Sequence, residues 1–147
     1  MFFLSSFLLI ALDQASKFFF EHFLANTKIS ILGDFLSLSF TRNTGIAFSL
    51  PIEGLLLKAV TIILTIAIGI YFFRYEKLKD KTIVQLAYAL IISGAVSNGI
   101  DRIFFGSVGD FIAVKYFAIF NFADIFISIG AFLLFIAHLQ NERRTQK

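Results

Sequence analysis

Apolar residues fall into four long runs along the chain, separated by shorter and more polar segments. The runs cover about residues 2–20, 55–73, 83–100 and 122–139. A helix that crosses the hydrocarbon core of a bilayer needs about 20 mostly apolar residues. The pattern therefore predicts an all-α polytopic membrane protein with four transmembrane helices, in a single domain over residues 1–147. Lys and Arg crowd the link between the second and third runs and recur in the C-terminal tail, which predicts that both termini are cytoplasmic.

The segment between the first two runs follows a different period. Three apolar residues alternate with three hydroxyl residues, in the order Leu36, Ser37, Leu38, Ser39, Phe40 and Thr41. A period of two predicts a strand, and Ala47–Leu50 is its expected hairpin partner, with Asn43–Gly45 in the turn. We expect a small β-cradle over about residues 28–52 on the outer membrane surface. Alternation alone leaves open whether it holds an extended peptide or only caps the bundle.

The composition agrees with a membrane protein and argues against several kinds of catalytic site. The chain is 58% apolar and 16% charged, whereas soluble domains are about 45–50% apolar and about 25% charged. It contains no Cys, which excludes disulfides and thiol chemistry. Its two His residues, His22 and His138, belong to opposite ends of the predicted bundle, so neither a Ser–His site nor a two-His zinc site is expected. We expect no metal, no cofactor and no nucleic-acid partner.

Carboxylates within or beside the predicted spans are costly in a bilayer and mark candidate functional positions. Asp13, Asp101, Asp110 and Asp124 all belong to the predicted outer side. Asp13 and Lys17 are four residues apart and share a helix face. That spacing favours a structural ion pair over catalysis.

Further polar residues stand beside these carboxylates. Asn98, Asp101 and Arg102 line one face if the third helix continues past residue 100. Asn121 suits an N-cap position with Asp124 in the first helical turn, and simple capping is the alternative to a catalytic role.

Asp110 stands in the apolar sequence Gly109–Ile112, which we interpret as a loop between the last two spans. Burial there would raise the pKa of its carboxyl. Two carboxylates that share one proton can activate water and protonate a leaving amine, as in aspartic proteases. Asp110 and Asp124 are the candidate pair.

Four sequence blocks then occur in a fixed order. They are Asp13–Lys17 (DQASK), Arg42–Ser49 (RNTGIAFS), Asn98–Arg102 (NGIDR) with Gly106–Ile112 (GSVGDFI), and Phe120–Asp124 (FNFAD) with Gly130 after it. In this order, on four spans, the blocks resemble the lipoprotein signal peptidase (signal peptidase II) family over nearly the whole chain.

The resemblance implies a bacterial membrane aspartyl endopeptidase that cuts signal peptides from prolipoproteins, just before a Cys that carries diacylglycerol. It implies that Asp110 and Asp124 are catalytic. The supporting residues would be Asp13, Lys17, Asn43, Asn98, Asp101, Arg102 and Asn121. The expected location is the bacterial cytoplasmic (inner) membrane, with the active site at the outer face. The expected partners are prolipoproteins bearing diacylglyceryl-Cys and the lipid bilayer, and the expected oligomeric state is a monomer.

Two other classes of function remain to be compared. A small proton-coupled transporter would need an essential carboxylate near the bilayer midplane that is reachable from both sides. A non-catalytic scaffold that binds lipoproteins through the cradle would tolerate Asp110→Asn and Asp124→Asn. The gathering of carboxylates at one face argues against the transporter.

Overall fold

The computed structural model describes residues 2–45, 54–76 and 82–145. This part of the chain forms four helices and four strands, with one pair of strands between the first two helices and another between the last two. In order, they are α1 Phe2–Leu24, β1 Ile29–Leu32, β2 Leu36–Asn43, α2 Gly54–Tyr71 with a π-helical turn at Phe72–Glu76, α3 Thr82–Phe104, β3 Val108–Val114, β4 Ala118–Phe120 and α4 Phe122–Thr145. The predicted hairpin partner, Ala47–Leu50, lies outside the described residues.

Each apolar run corresponds to a helix. Of the described helices, three are long and apolar enough to cross a membrane, at Phe2–Leu24, Thr82–Phe104 and Phe122–Gln140. The second run contributes a shorter apolar helical segment, Ala59–Tyr75. Many large apolar side chains on the helices are exposed, among them Phe7 (67%) and Phe132 (62%). Such surfaces are stable in contact with lipid and unfavourable in water.

The strands form one antiparallel sheet in the order β1-β2-β3-β4. The strand predicted from the alternation at residues 36–41 is confirmed as part of β2. The interpretation of Asp110 as a loop residue is wrong, because it lies in β3 opposite Thr41 of β2. β3 is covered by a strand on each side and its first four residues are buried. A buried central strand loses the polar alternation that marks a half-exposed one, which explains the error.

Close packing of α3 on α4 brings the C-terminal half of α3 against the start of α4. A Cβ added to Gly94 would clash with the carbonyl oxygen of Ala123, and one added to Gly130 would lie 2.6 Å from that of Ala87. Only glycine permits so close an approach of backbones at these two positions. The contact sets the start of α4 directly against α3, beside Asn98 and Asp101.

Aromatic packing closes the other end of the bundle. Phe72, Val84 and Tyr88 form a buried cluster, and Phe2 packs against it with its ring stacked on Phe72 at 4.6 Å. The cluster joins the first turn of α1 to the end of α2 and the start of α3. The opposite end of the bundle carries the sheet and most of the buried polar residues.

Candidate active site

Asp110 projects from the centre of the sheet into a polar pocket. Its side chain is 2% exposed. The amide of Asn43 donates to its Oδ2 at 3.0 Å, and the amide of Asn121 donates to its Oδ1 at 2.7 Å. The pKa of Asp110 is raised to about 6. Burial is the largest cause and the negative charge of Asp124 adds to it, while the two amides and the charge of Lys17 act in the opposite direction. Asp110 therefore changes charge close to neutral pH.

Asp124 is held by the start of α4. The backbone N–H of Asp124 donates to Oδ1 of Asn121 at 3.0 Å, and the backbone N–H of Asn121 donates to Oδ2 of Asp124 at 3.3 Å. This reciprocal pair is a capping box, which satisfies two backbone donors at a helix N-terminus. Asn121 is thus the N-cap that the sequence predicts. The same bonds orient the Asp124 carboxylate toward Asn98, whose amide donates to its Oδ1 at 2.8 Å.

Asn121 connects the two carboxylates. It is fully buried, it accepts from the backbone of Asp124, and its amide reaches Oδ1 of Asp110. The same amide lies within 3.3 Å of the carbonyl oxygen of Gly109 and within 3.2 Å of Oδ1 of Asn98. The structure therefore brings Asp110, Asp124, Asn43, Asn98 and Asn121 into one hydrogen-bonded group.

A buried ion-pair network lies directly behind this group. Nζ of Lys17 is 2.7 Å from Oδ2 of Asp13, 3.0 Å from Oδ2 of Asp101 and 2.9 Å from Oδ1 of Asn98. Asp13 also accepts from the hydroxyl of Ser97 at 2.7 Å and from the backbone N–H of Ala123 at 2.8 Å. The predicted ion pair between Asp13 and Lys17 therefore exists and ties α1 to α3 and to the first turn of α4.

Asp101 and Arg102 diverge although they are adjacent. Asp101 turns toward Lys17 and accepts the backbone N–H of Gly109 at 3.2 Å, which anchors the start of β3. Arg102 turns toward Asp110 and Asp124, which we call the dyad, and their negative charges act on it. Its Nε is buried and has no hydrogen-bond partner among the described residues. That donor is available for an acceptor on a ligand.

A cavity of about 680 Å³ opens beside the carboxylates. Asp110, Asp124 and Arg102 line one part of it, while α2, α3, α4 and β4 supply mostly apolar walls. This volume lies within the usual range of ligand pockets, about 300–1,000 Å³. Within the described ranges, no group of three or more His, Cys, Asp or Glu side chains could hold a metal ion. The arrangement suits acid–base chemistry on a bound, largely apolar chain.

Several polar residues in these networks were not singled out from the sequence. Gln14 donates to Ser97 and, at 2.9 Å, to Oδ1 of Asp101. Glu21 and Arg42 form an ion pair between α1 and β2. Gln14 and Arg42 lie inside the first two sequence blocks, and their place in these blocks is the sequence feature that points to them. Glu21 and Ser97 carry no such signal, because their partners come from distant parts of the chain.

Comparison with known proteins identifies the family. The family model described as Signal peptidase (SPase) II matches residues 5–140. The chain belongs to the signal peptidase II family. The match covers the sheet, all of α2 and α3, most of α1 and α4, and every predicted site residue.

Individual members of the signal peptidase II family agree with this assignment. The lipoprotein signal peptidase of Fusobacterium nucleatum is 35% identical over 142 residues, which span 93% of this chain and 85% of the relative. That of Streptococcus pneumoniae is 36% identical over 138 residues, 92% of this chain and 90% of the relative. A solved bacterial membrane enzyme superposes with a TM-score of 0.81 at 31% identity, covering 96% of this chain and 88% of that one. Family membership does not favour the transporter or the scaffold.

Proposed function

We propose that this protein is a membrane aspartyl endopeptidase that removes the signal peptide from prolipoproteins, cutting before a Cys modified with diacylglycerol. Membership of the signal peptidase II family supports the reaction class. The observation that carries the proposal is the pair Asp110 and Asp124, joined through Asn121 at the edge of an apolar cavity. An extended apolar substrate and two coupled carboxylates are what peptide hydrolysis in a membrane requires.

In the proposed mechanism, Asp110 and Asp124 share one proton and hold the attacking water. The ionised carboxylate removes a proton from the water, while the protonated carboxyl polarises the scissile carbonyl and later protonates the leaving amine. Coupled carboxylates titrate as a pair, so neither residue is assigned the proton. Asn43, Asn98 and Asn121 hold the carboxylates through their amides.

Three other polar residues support this centre in the proposal. The free Nε of Arg102 would donate to a backbone carbonyl of the substrate beside the dyad. Asp13 and Lys17 brace α1 against the site, and Lys17 also contacts Asn98 directly. The mechanism uses no metal or cofactor, because every proton transfer has a donor or acceptor among these side chains.

The test is cleavage of a diacylglyceryl-modified prolipoprotein by purified protein in detergent or lipid, followed by gel shift. Asp110→Asn and Asp124→Asn are each expected to lower turnover by at least about 100-fold, the usual contribution of a positioned acid or base. Asp34→Asn is the matched control, because Asp34 is an exposed carboxylate in the turn between β1 and β2, at the opposite end of β2 from Asn43. Normal cleavage by either dyad variant would refute the assignment and make Asp101 the next candidate.

We further propose that the protein spans the bacterial cytoplasmic membrane four times as a monomer, with both termini inside and the dyad at the outer face. The basic residues beside α2 and at the C-terminus support this orientation. The chain has no Cys, so Arg74→Cys and Lys115→Cys each create a single thiol. An impermeant maleimide should label only Lys115→Cys in intact spheroplasts. Labelling of Arg74→Cys alone would invert the topology.

The sheet would lie against the outer leaflet in this orientation. Its two turns carry large exposed apolar side chains, Phe35 (57%), Tyr116 (94%) and Phe117 (67%), and the backbone N–H of Lys115 joins the turns by donating to Phe35. Aromatic residues favour the membrane interface. The chain has no Trp, so Tyr116→Trp gives a single fluorophore, which brominated lipids should quench. Emission typical of water without quenching would refute this placement.

A further inference from the structure

An ion pair behind the sheet joins the outer end of α1 to β2. Nε and Nη2 of Arg42 lie 3.0 and 2.5 Å from Oε1 of Glu21, and Nη2 is 2.6 Å from Oε2. The arginine thus contacts both oxygens of the carboxylate, the geometry that gives arginine pairs their directional strength. Both side chains are only about one-third exposed, at 29% and 35%. The mechanism proposed above uses neither residue.

Aromatic rings hold the same guanidinium in place. Its Cζ lies 4.6 Å from the ring centroid of Phe105 and 5.5 Å from that of Phe40. Phe105 directly follows α3 and is fixed to its last turn, because its backbone N–H donates to the carbonyl oxygen of Asp101 at 2.8 Å. A cation over an aromatic face is attracted by the negative ring face. Arg42 is therefore restrained by α1, by the end of α3 and by its own strand.

The position of Arg42 in the sheet links this restraint to the dyad. Arg42 pairs with Gly109 of β3, and its neighbour Asn43 pairs with Val108. Successive side chains of a strand point to opposite faces. Arg42 and Phe40 therefore lie on the face behind the site, while Asn43 lies on the face of Asp110 and donates to its carboxylate.

Asn43 is also the last residue of β2, where pairing to the neighbouring strand ends. A terminal residue of a strand separates easily from its partner unless something holds it. We infer that Glu21 and Arg42 form a clamp that positions the amide of Asn43 on Asp110, so that both are positioning residues for peptide cleavage. This role rests on the proposed function.

The clamp predicts the direction in which the pH–activity profile moves when the clamp is opened. Asp110 is faced by Asn43 from β2, by Asn121 and Asp124 at α4, by Lys17 from α1 and by Arg102 from α3. The amide of Asn43 lowers the pKa of Asp110. If the clamp opens and the amide departs, the acid limb of the pH–activity profile moves to higher pH. Loss of the negative charge of Glu21 would by itself move that limb to lower pH, so the direction separates positioning from electrostatics.

The experiment measures kcat, KM and the pH profile of cleavage for wild type, Glu21→Gln and Arg42→Lys. Arg42→Lys keeps the positive charge but loses the bidentate contact with Glu21 and the stacking on the aromatic rings. This variant still tests the clamp if Glu21→Gln fails to fold. Both variants should lower kcat by about 10-fold, the scale expected of a small displacement at the reacting groups, with KM within about twofold. Both should shift the acid limb to higher pH. Asp34→Asn, which removes a carboxylate from the exposed pair with Lys115, should leave both quantities unchanged.

A double-mutant cycle with Asn43→Ala decides whether the clamp acts through Asn43. Coupled residues give non-additive effects, whereas independent ones add. Glu21→Gln should have little further effect on kcat in the Asn43→Ala background. Additive losses, an unchanged profile, or a shift to lower pH would each overturn the clamp while wild-type cleavage still supported the proposed function. Absence of cleavage by the folded wild type would overturn the proposed function itself, and the clamp with it.

Discussion

Asp13→Ala tests whether the buried ion-pair network holds the bundle together or takes part in the chemistry. Asp13 is fully buried. It contacts Lys17 at 2.7 Å, the hydroxyl of Ser97 at 2.7 Å and the backbone N–H of Ala123 at 2.8 Å. Alanine removes all three interactions at once and leaves two buried donors without their acceptor. We expect a large loss of stability and a small effect on turnover.

The size of the loss follows from these contacts. Breaking a buried ion pair by removing one partner costs about 3–5 kcal/mol, and a buried donor without a partner costs about 1–3 kcal/mol. Lys17 keeps Asp101 as a second partner, which reduces the first contribution. We therefore expect a decrease of about 4 kcal/mol in the free energy of unfolding. At about 2–4 °C per kcal/mol for a chain of this size, the melting temperature should fall by about 10 °C.

Turnover should survive, because Asp101 still holds Lys17 beside Asn98. The assay follows helix content by circular dichroism during heating in detergent and measures cleavage well below the melting temperature. Asp34→Ala is the control, since the Asp34 side chain is 81% exposed and its ion pair with Lys115 should contribute less than about 1 kcal/mol. Wild-type melting combined with complete loss of cleavage in Asp13→Ala would refute the structural role and move Asp13 into the catalytic group.

Three further predictions concern the dyad and the helix contact. Burial raises the pKa of Asp110 from 3.8 to about 6, so the stability contributed by its protonated form is complete below pH 3.8 and is lost as the pH rises through about 6. Wild type should thus lose about 2–3 kcal/mol of unfolding free energy between pH 4 and pH 7 relative to Asp110→Asn, whose amide does not titrate. A difference between the two proteins that stays constant with pH would contradict this. Gly94→Ala should destabilise the fold by about 1–3 kcal/mol through its clash with Ala123, whereas Gly69→Ala, with nothing within 4 Å, should be neutral or stabilising in thermal unfolding. Asn121→Ala should lose about 1–2 kcal/mol from the helix cap and about 100-fold in turnover, and normal turnover would exclude a role for Asn121 in aligning the carboxylates.

The features that could be predicted from sequence are those carried by local patterns. Apolar runs indicated the four helices because span length is set by bilayer thickness, and the spacing of Asn98 and Arg102 became meaningful because α3 extends to Phe104. Asn121 and Asp124 were recognisable as a helix start because capping involves residues three apart. Each of these signals lies within one element and needs no knowledge of its neighbours.

Strands β3 and β4 were missed for a physical reason. β3 is paired on both sides and buried at its start, so its apolar residues run together instead of alternating, and Gly109 interrupts them. β4 has only three residues, too few to establish a period of two. The sequence pattern therefore indicates a loop at Asp110, although the sheet itself holds this residue in place.

Hydrogen bonds between different helices also cannot be predicted from a local sequence pattern. These bonds explain how a residue remote from the chemistry can influence the dyad. Oδ1 of Asn98 receives a hydrogen bond from Lys17, which leaves its amide nitrogen to donate to Asp124. Rotating that amide by half a turn would place its NH₂ group against the ammonium of Lys17 and its oxygen against the Asp124 carboxylate, leaving both contacts repulsive. The cation on α1 therefore determines which end of Asn98 meets the catalytic candidate on α4. Within the proposed mechanism, Lys17 acts on the dyad by orienting Asn98, and the two carboxylates beside Lys17 keep that cation buried where it can do so.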